Sequence, residues 1–343
     1  MDAPKTLRSR LRRALWILLA TLVIVSGAAF IAFKTSPWPS ALIIRWAFER
    51  GGHATNAALA SQVPQGINAQ FDLHYDPNDP DALLDIYRPS ALNDRPLPII
   101  FWIHGGGYVA GSRKEVANYA QILAADGYAV VAVDYSLAPG IQYPVPIQQL
   151  GRALAYLSDH AAQLKLDSSR FVLGGDSAGA QLASQLAALA SSPGYAQKTG
   201  LSSGISIAQL RGVVLFCGPH DGRIMASQVP SSWFLRTVMW SYFGSTTPPE
   251  ATVGAFSVVP HVSPSFPPAF ISVGNSDPLA PQSVALAEAL KLQGVHVETL
   301  FYPATHQPPL GHEYQFNLSR PESREALSRT RAFLRGLTQP ATG

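Results

Sequence analysis

Cysteine is almost absent from this chain: Cys217 is the only one among 343 residues. No intramolecular disulfide can form, so the fold must rest on a packed core in whatever compartment it occupies. Cys217 ends the apolar run 213–217 and reads as a small hydrophobic strand residue. His220 is the one potential metal ligand close to it in sequence, and two donors do not make a metal site. Charge is also scarce, at 14% of residues. The formal net charge is +3, yet residues 1–13 hold five basic side chains and one acidic, a net of +4 that leaves residues 14–343 at −1. The basicity is therefore a property of one end, and no electrostatic footprint for DNA or RNA remains. Internal repeats, low-complexity runs and the phosphate-binding patterns G-x-x-x-x-G-K-[ST] and G-x-G-x-x-G are missing too. No cofactor, metal or nucleic-acid partner is expected.

What the N-terminus does have is a long uncharged run. Residues 14–33 carry no charge, and at ~1.5 Å per helical residue they reach roughly 30 Å, one hydrocarbon core. Lys5, Arg8, Arg10, Arg12 and Arg13 precede the run and only Lys34 follows it closely. An excess of basic residues on one flank places 1–13 in the cytoplasm and the remainder across the membrane, in the periplasm if the source is bacterial. A cleaved signal peptide and an interfacial helix are the competing readings. Small residues at Ser26, Gly27, Ala28 and Ala29 suit cleavage, but the apolar run continues through Phe30, Ile31 and Phe33 and favours an uncleaved anchor.

Residues 34–66 form a bridge, with Ser40 as the expected N-cap of a short helix over 41–50 that ends at Gly51-Gly52. Its apolar members cover most of its circumference, which fits a juxtamembrane helix or a lid over a pocket equally well. From about residue 67 short apolar runs alternate with helical patterns. Strands are expected at 99–103, 128–133, 171–173, 213–216, 269–273 and 295–301. Helices are expected at 119–126, 145–164, 178–190, 281–292 and 322–334. Continuous apolar strands alternating with helices mean an α/β fold with a mostly parallel sheet covered on both faces. Residues 218–268 break the rhythm with Pro, Gly, Ser and aromatics and read as a cap inserted into the domain at 67–337.

Two loops carry chemistry. Gly175-Asp176-Ser177-Ala178-Gly179 lies between the strand at 171–173 and the helix at 178–190, the context that a G-x-S-x-G nucleophile elbow requires. Small residues flank the serine because strand and helix meet there at a sharp turn. His104-Gly105-Gly106-Gly107-Tyr108 directly follows the strand at 99–103. Glycines in such a loop let backbone N–H groups approach an oxyanion, and His104 reads as an organiser of the loop rather than a proton carrier.

Together these motifs, with Asp134-Tyr135-Ser136-Leu137-Ala138-Pro139 and Tyr143-Pro144 between them, resemble the hormone-sensitive-lipase-like branch of the α/β-hydrolases, the bacterial family IV esterases. The resemblance covers roughly residues 67–337. It implies an α/β-hydrolase fold, an acyl-transfer mechanism on small-molecule esters of short to medium acyl chains, and oxyanion donors from Gly106, Gly107 and Ala178. It departs from the family at Ser136 and Gly140, where the family carries Arg and Glu, so any pairing those residues make is lost here. An amidase, an arylformamidase or a carbohydrate-ester deacetylase would use the same apparatus. A catalytically inactive, membrane-tethered binding protein is the alternative of another class.

A serine triad continues with an acid and then a histidine. Asp277, in Asp277-Pro278-Leu279 just past the strand at 269–273, matches the family's acid motif. His306 and His312 both follow the strand at 295–301. The family's usual spacing from the acid favours His306. Local context favours His312, which follows Gly311 and has Tyr314 two positions on, with Gln307-Pro308-Pro309-Leu310 as a loop insertion that displaces the histidine downstream. His312 is the preferred base. His296 belongs to the strand pattern, and His53, His74, His160, His220 and His261 are expected at the surface or in the cap.

Overall fold

The computed structural model describes residues 3–338, with residues 3–8 described in backbone only; Met1 and Asp2 of the expected basic segment lie outside the described residues, as do residues 339–343. Two long helices come first, α1 (Ala3–Thr35) and α2 (Trp38–Leu59). Within α1, Ser9–Thr35 is long and apolar enough to cross a bilayer, and none of it is buried in the protein. The eight strands are β1 (Ile67–His74), β2 (Leu83–Pro89), β3 (Leu97–Ile103), β4 (Ala129–Val133), β5 (Leu166–Asp176), β6 (Leu210–Phe216), β7 (Ala269–Val273) and β8 (Val297–Phe301). Between and after them run α3 (Ala117–Ala124), α4 (Val145–Asp159), α5 (Ala161–Leu164), α6 (Ala178–Ser191), α7 (Pro193–Thr199), α8 (Gly222–Gln228), α9 (Trp233–Phe243), α10 (Glu250–Phe256), α11 (Ala280–Leu292) and α12 (Pro321–Thr338).

The strands form one sheet in the order β1-β2-β4-β3-β5-β6-β7-β8. From β4 to β8 every pairing is parallel, while β1 and β2 add an antiparallel edge. The continuous apolar runs follow from burial on both faces. In β3, Ile99, Phe101 and Ile103 join one core layer, while Ile100 and Trp102 join the other. In β4, Val131 and Val133 divide from Val130 and Ala132 in the same way. The period of two along each strand thus feeds two separate helix layers.

Two expectations need correction. The helix after the anchor is not a ten-residue piece capped by Ser40: α2 starts at Trp38 with Pro39 in its first turn, buries Ser40, and runs on through Gly51-Gly52 to Leu59. The glycines do not stop it because Gly52 packs on another element; a Cβ there would stand 2.0 Å from Glu115 Oε2. The helical pattern at 145–164 is broken at His160, whose Nδ1 faces the Tyr156 carbonyl at 2.9 Å. His220, expected at the surface or in the cap, stands in the 218–268 segment: it is fully buried, its Nδ1 is 2.9 Å from Ser184 Oγ on α6, and its carbonyl accepts the Val258 N–H at 2.8 Å. That last bond, with Gly222 N–H donating to Ser257 Oγ at 3.0 Å, closes the root of the segment 218–268, which holds α8, α9 and α10.

One buried ion cluster fastens the antiparallel edge to the loops above the sheet. The Arg113 guanidinium, 4% exposed, pairs with Asp134 after β4, with Asp85 of β2 at 2.9 Å and with Asp72 of β1. Asp134 also accepts the Arg113 backbone N–H at 2.6 Å. At Ser136, where the family's Arg is missing, the hydroxyl donates to Asp81 Oδ2 at 2.6 Å. Removing one partner of a buried ion pair strands the other's charge, so Arg113→Ala is expected to lower the unfolding free energy by about 3 kcal/mol or more. Asp72→Asn, at the exposed end of the cluster, is expected to cost about 0–1 kcal/mol. Denaturant titration of the two variants beside the parent chain checks both.

Candidate active site

Ser177 is the single residue between β5 and α6. Its backbone sits at φ 51°, ψ −121°, a conformation that costs an L-residue ~1–3 kcal/mol. The strain is held by the neighbouring strand, where the Phe216 carbonyl of β6 accepts the Ser177 N–H at 2.8 Å. Gly175 and Gly179 let strand and helix close on each other. A Cβ on Gly175 would lie 2.5 Å from the carbonyl carbon of Gly179, and one on Gly179 would lie 2.0 Å from the Ile103 carbonyl oxygen. The first turn of α6 therefore rests directly on the ends of β3 and β5, with its positive dipole end at the serine.

The residue before the serine ties the elbow to the glycine loop. Buried Asp176 accepts Trp102 Nε1–H at 2.9 Å through Oδ1 and the Gly105 N–H at 2.8 Å through Oδ2. Burial, reinforced by the Glu313 carboxylate, pushes the Asp176 carboxyl well above the usual range. Gly106 takes φ +111°, and a Cβ there would lie 2.1 Å from the Ala110 carbonyl oxygen, so glycine alone fits. Gly106, Gly107 and Ala178 border the same cavity as Ser177. His104 organises the loop: its Nδ1 faces the Gly105 carbonyl at 2.7 Å and its ring stacks on Tyr135 at 4.5 Å. Burial holds its pKa below the ordinary value, so it stays neutral.

Asp277 and His312 come to the serine from the loops after β7 and β8. His312 Nδ1 is 2.8 Å from Asp277 Oδ2, and His312 Nε2 is 2.9 Å from Ser177 Oγ. With the ring neutral, Nδ1–H donates to the carboxylate and the serine hydroxyl donates to Nε2. Asp277 is fixed in turn by the Leu279 N–H, which donates to Oδ1 at 2.8 Å. The two loops are stitched together: Asn275 Oδ1 accepts the Leu310 N–H at 2.9 Å, and the Leu310 carbonyl accepts the Ser276 N–H at 2.9 Å. His306 is not brought to the serine. Its Nε2 lies 3.0 Å from Glu322 Oε1 at the start of α12.

A family model, BD-FAE, matches residues 84–290, which is more than half of the chain. The chain belongs to this family of α/β-hydrolases. It is similar to the carboxylesterase NlhH of Mycobacterium tuberculosis, 31% identical over 265 residues that span 74% of this chain and 79% of that protein. It is also similar to an ethyl acetate hydrolase of Pseudomonas putida, 30% identical over 233 residues, 64% of this chain and 69% of that one. Among solved structures, esterase B from Lactobacillus rhamnosis superimposes with a TM-score of 0.74 at 26% identity, covering 87% of this chain and 97% of that one. The fold and relatives together make this α/β-hydrolase a hormone-sensitive-lipase-like esterase, a carboxylic ester hydrolase acting on small molecules.

The hydrolase's site contains two residues that sequence reasoning did not place there. Cys217 is not a strand residue: it follows the end of β6 at φ +46°, fully buried, with its sulfur in a group with Asp277 and His312 whose ligand atoms lie within 4.8 Å of one another. The groups beside the sulfur are thus the expected acid and base, and both ring nitrogens of His312 already face Asp277 and Ser177. The available signal was its position at the carboxyl end of the strand next to the elbow, where parallel sheets build their sites. Glu313 is the second, with Oε1 3.7 Å from His312 Nε2. Burial opposes an imidazolium at His312, but the hydrogen bond to Asp277 and the Glu313 carboxylate favour it and raise its pKa above the ordinary value.

Above the serine lies a cavity of about 470 Å³. Phe48, Gly51 and Thr55 of α2 form one wall, and Met225, Phe234 and Val238 of the 218–268 segment form another. Phe48 and Phe234 meet across it with ring centroids 5.5 Å apart. Burial pushes the Cys217 thiol up to about 11, which leaves it protonated at neutral pH. Iodoacetamide at pH 8 is therefore expected to leave the native esterase unlabelled and fully active, with one equivalent incorporated only after denaturation. Mass spectrometry of the two samples checks this.

Proposed function

We propose that this esterase hydrolyses esters of short to medium acyl chains through a Ser177-His312-Asp277 triad and an acyl-enzyme. The observation that carries the reading is the unbroken run of two hydrogen bonds from Asp277 through His312 to the Ser177 hydroxyl. His312 Nε2 takes the hydroxyl proton as Ser177 Oγ attacks the ester carbonyl. The oxyanion is met by the backbone N–H groups of Gly106, Gly107 and Ala178, a reading supported by the place of all three residues on the border of the cavity that holds Ser177. His312 then gives the proton to the leaving alkoxide. In the second half it activates water, which releases the acid and returns the proton to Ser177. Asp277 fixes the tautomer throughout.

The acyl range is supported by the limited size of the largely apolar cavity over the serine, and by the esterase B relative, whose solved structures include one with a tributyrin phosphonate inhibitor. In the same reading α2, within 34–66, is the lid and 218–268 is the cap of a hydrolase domain at 67–337. Residues 14–33 are the anchor and 1–13 remain in the cytoplasm, which puts the catalytic domain outside it. The charge asymmetry across the apolar run supports this orientation.

A fluorophosphonate probe is expected to label Ser177 in the folded protein, and its failure to do so would sink the proposal. With p-nitrophenyl butyrate, Ser177→Ala and His312→Ala are expected to lower kcat by about 10⁴-fold or more. His306→Ala, which loses the contact with Glu322 and the ring contact with Tyr302, is expected to stay within about threefold. A loss at His306 that matches the loss at His312 would reassign the base.

The base must be neutral to accept a proton. With its pKa held above the ordinary histidine value, kcat/KM is expected to rise with pH through a midpoint above 6.5. Glu313→Gln removes a carboxylate that favours the imidazolium and is expected to move that midpoint down. An unmoved profile would show that Glu313 has no part in setting the base.

A further inference from the structure

The outward face of the first half of α2 is unusual for a protein surface. Trp38, Leu42, Ile43 and Trp46 are 45%, 51%, 49% and 64% exposed. The opposite face of the same turns is committed to the protein, with Ser40, Ala41 and Ile44 buried. Trp38, Leu42 and Trp46 follow one another at intervals of four, which on a helix makes a single stripe. After Arg50 the outward face changes to His53, Ala54, Ala57 and Ala58. The apolar patch is therefore confined to the half of α2 that adjoins α1. Among the described residues nothing covers it.

We propose that this face lies on the bilayer into which α1 inserts, so that the cavity takes esters dissolved in the membrane. The proposal rests on the esterase reading above and names the source of its substrate. Three observations select lipid as the occupant. First, only Ser36 and Pro37 separate α1 from α2, so the patch begins where the membrane-crossing helix ends. Second, the composition is that of an interface. Tryptophan and aliphatic side chains are bordered by cations, with Lys34 over the Phe30 ring at 5.6 Å and Arg50 over the Trp46 ring at 5.9 Å. Tryptophan rings favour the headgroup level and long basic side chains reach lipid phosphates.

Third, the length of the stripe fixes the attitude of the helix. An upright α2 would lift Trp46 ~12 Å above Trp38 at ~1.5 Å per residue, whereas the headgroup zone on one side of a bilayer is only ~5–8 Å thick. Both ends of the stripe stay apolar and exposed, which is satisfied by a helix lying nearly flat on the surface. The position of the cavity gives this a consequence for catalysis. Ala47, Phe48, Gly51 and Thr55 line the cavity and remain exposed, so the cavity reaches the outside along α2, beside the stripe. An ester partitioned into the bilayer then enters without crossing bulk water.

The test uses the full chain reconstituted in phosphatidylcholine/phosphatidylglycerol vesicles, with two substrates that share an acyl group: water-soluble p-nitrophenyl butyrate and vesicle-dissolved hexadecyl butyrate. In the double variant Leu42→Glu/Trp46→Glu, neither residue of which lines the cavity, turnover of the soluble ester is expected to be unchanged. Turnover of the vesicle-borne ester is expected to fall about tenfold or more. Equal turnover of the vesicle-borne ester by variant and parent would overturn the proposal. So would failure of the parent to hydrolyse hexadecyl butyrate while it cleaves the soluble ester. Failure on both esters would instead refute the esterase reading itself.

Because the native cysteine is buried, a fluorescent label on Leu42→Cys reports position independently of activity and guards against a folding defect in the charged variant. Its emission is expected to be blue-shifted and quenched by brominated lipids, whereas a label on Leu292→Cys, on a side chain 86% exposed at the end of α11, is expected to stay water-like. Water-like emission at both positions would also overturn the proposal.

Discussion

Everything at the site depends on how closely α6 is allowed to approach the ends of β3 and β5. The Ile103 carbonyl occupies the space where a side chain on Gly179 would be, and the backbone of Gly179 occupies the corresponding space at Gly175. That contact forces the turn at Ser177 into a conformation the residue would not choose, and the hydrogen bond to Phe216 on the next strand keeps it there. The strain is local, but its support is global: it is met by the packing of two full core layers on either side of the sheet. A serine on a relaxed loop would carry the same hydroxyl with none of the fixed orientation.

From this contact the remaining parts are positioned by hydrogen bonds between loops. Asp176 holds the glycine loop to the elbow, and Asn275 and Leu310 hold the loop of Asp277 to the loop of His312. The four loops are thus tied in two pairs, from positions 71 and 35 residues apart in sequence, and the hydrogen bond between His312 and Ser177 joins the pairs. The environment of His312 is set at the same place, since Cys217 and Glu313 reach it from the β6 end and from its own loop.

The sheet, its parallel core and the elbow were legible because each is a local pattern: short apolar runs, glycines at fixed offsets from a serine, a helix opening directly after it. Asp277 was legible from its short motif after a strand. The histidine was legible only as a pair of candidates, because one-dimensional spacing does not reveal that His306 turns toward Glu322 while the proline-rich stretch beyond it carries His312 back to the serine. The length of α2 was misjudged because Gly51-Gly52 reads as a stop when it is in fact the site of a close tertiary contact with Glu115. The full burial of His220 against Ser184 was not legible either, since burial by a distant helix has no local signature. Cys217 was read correctly as a packed residue, but its place beside the acid and the base was missed, because what surrounds its sulfur arrives from 60 and 95 residues downstream.

The single thiol has one more consequence. It sits behind the histidine, out of contact with solvent, so the outside of the molecule offers no thiol to an oxidant, a heavy metal or a second copy of the chain. The protein can pass from a reducing compartment into an oxidising one without acquiring a cross-link or losing one. Its redox surroundings are, for the fold, an indifferent variable, and durability outside the cell's reducing interior is left entirely to packing.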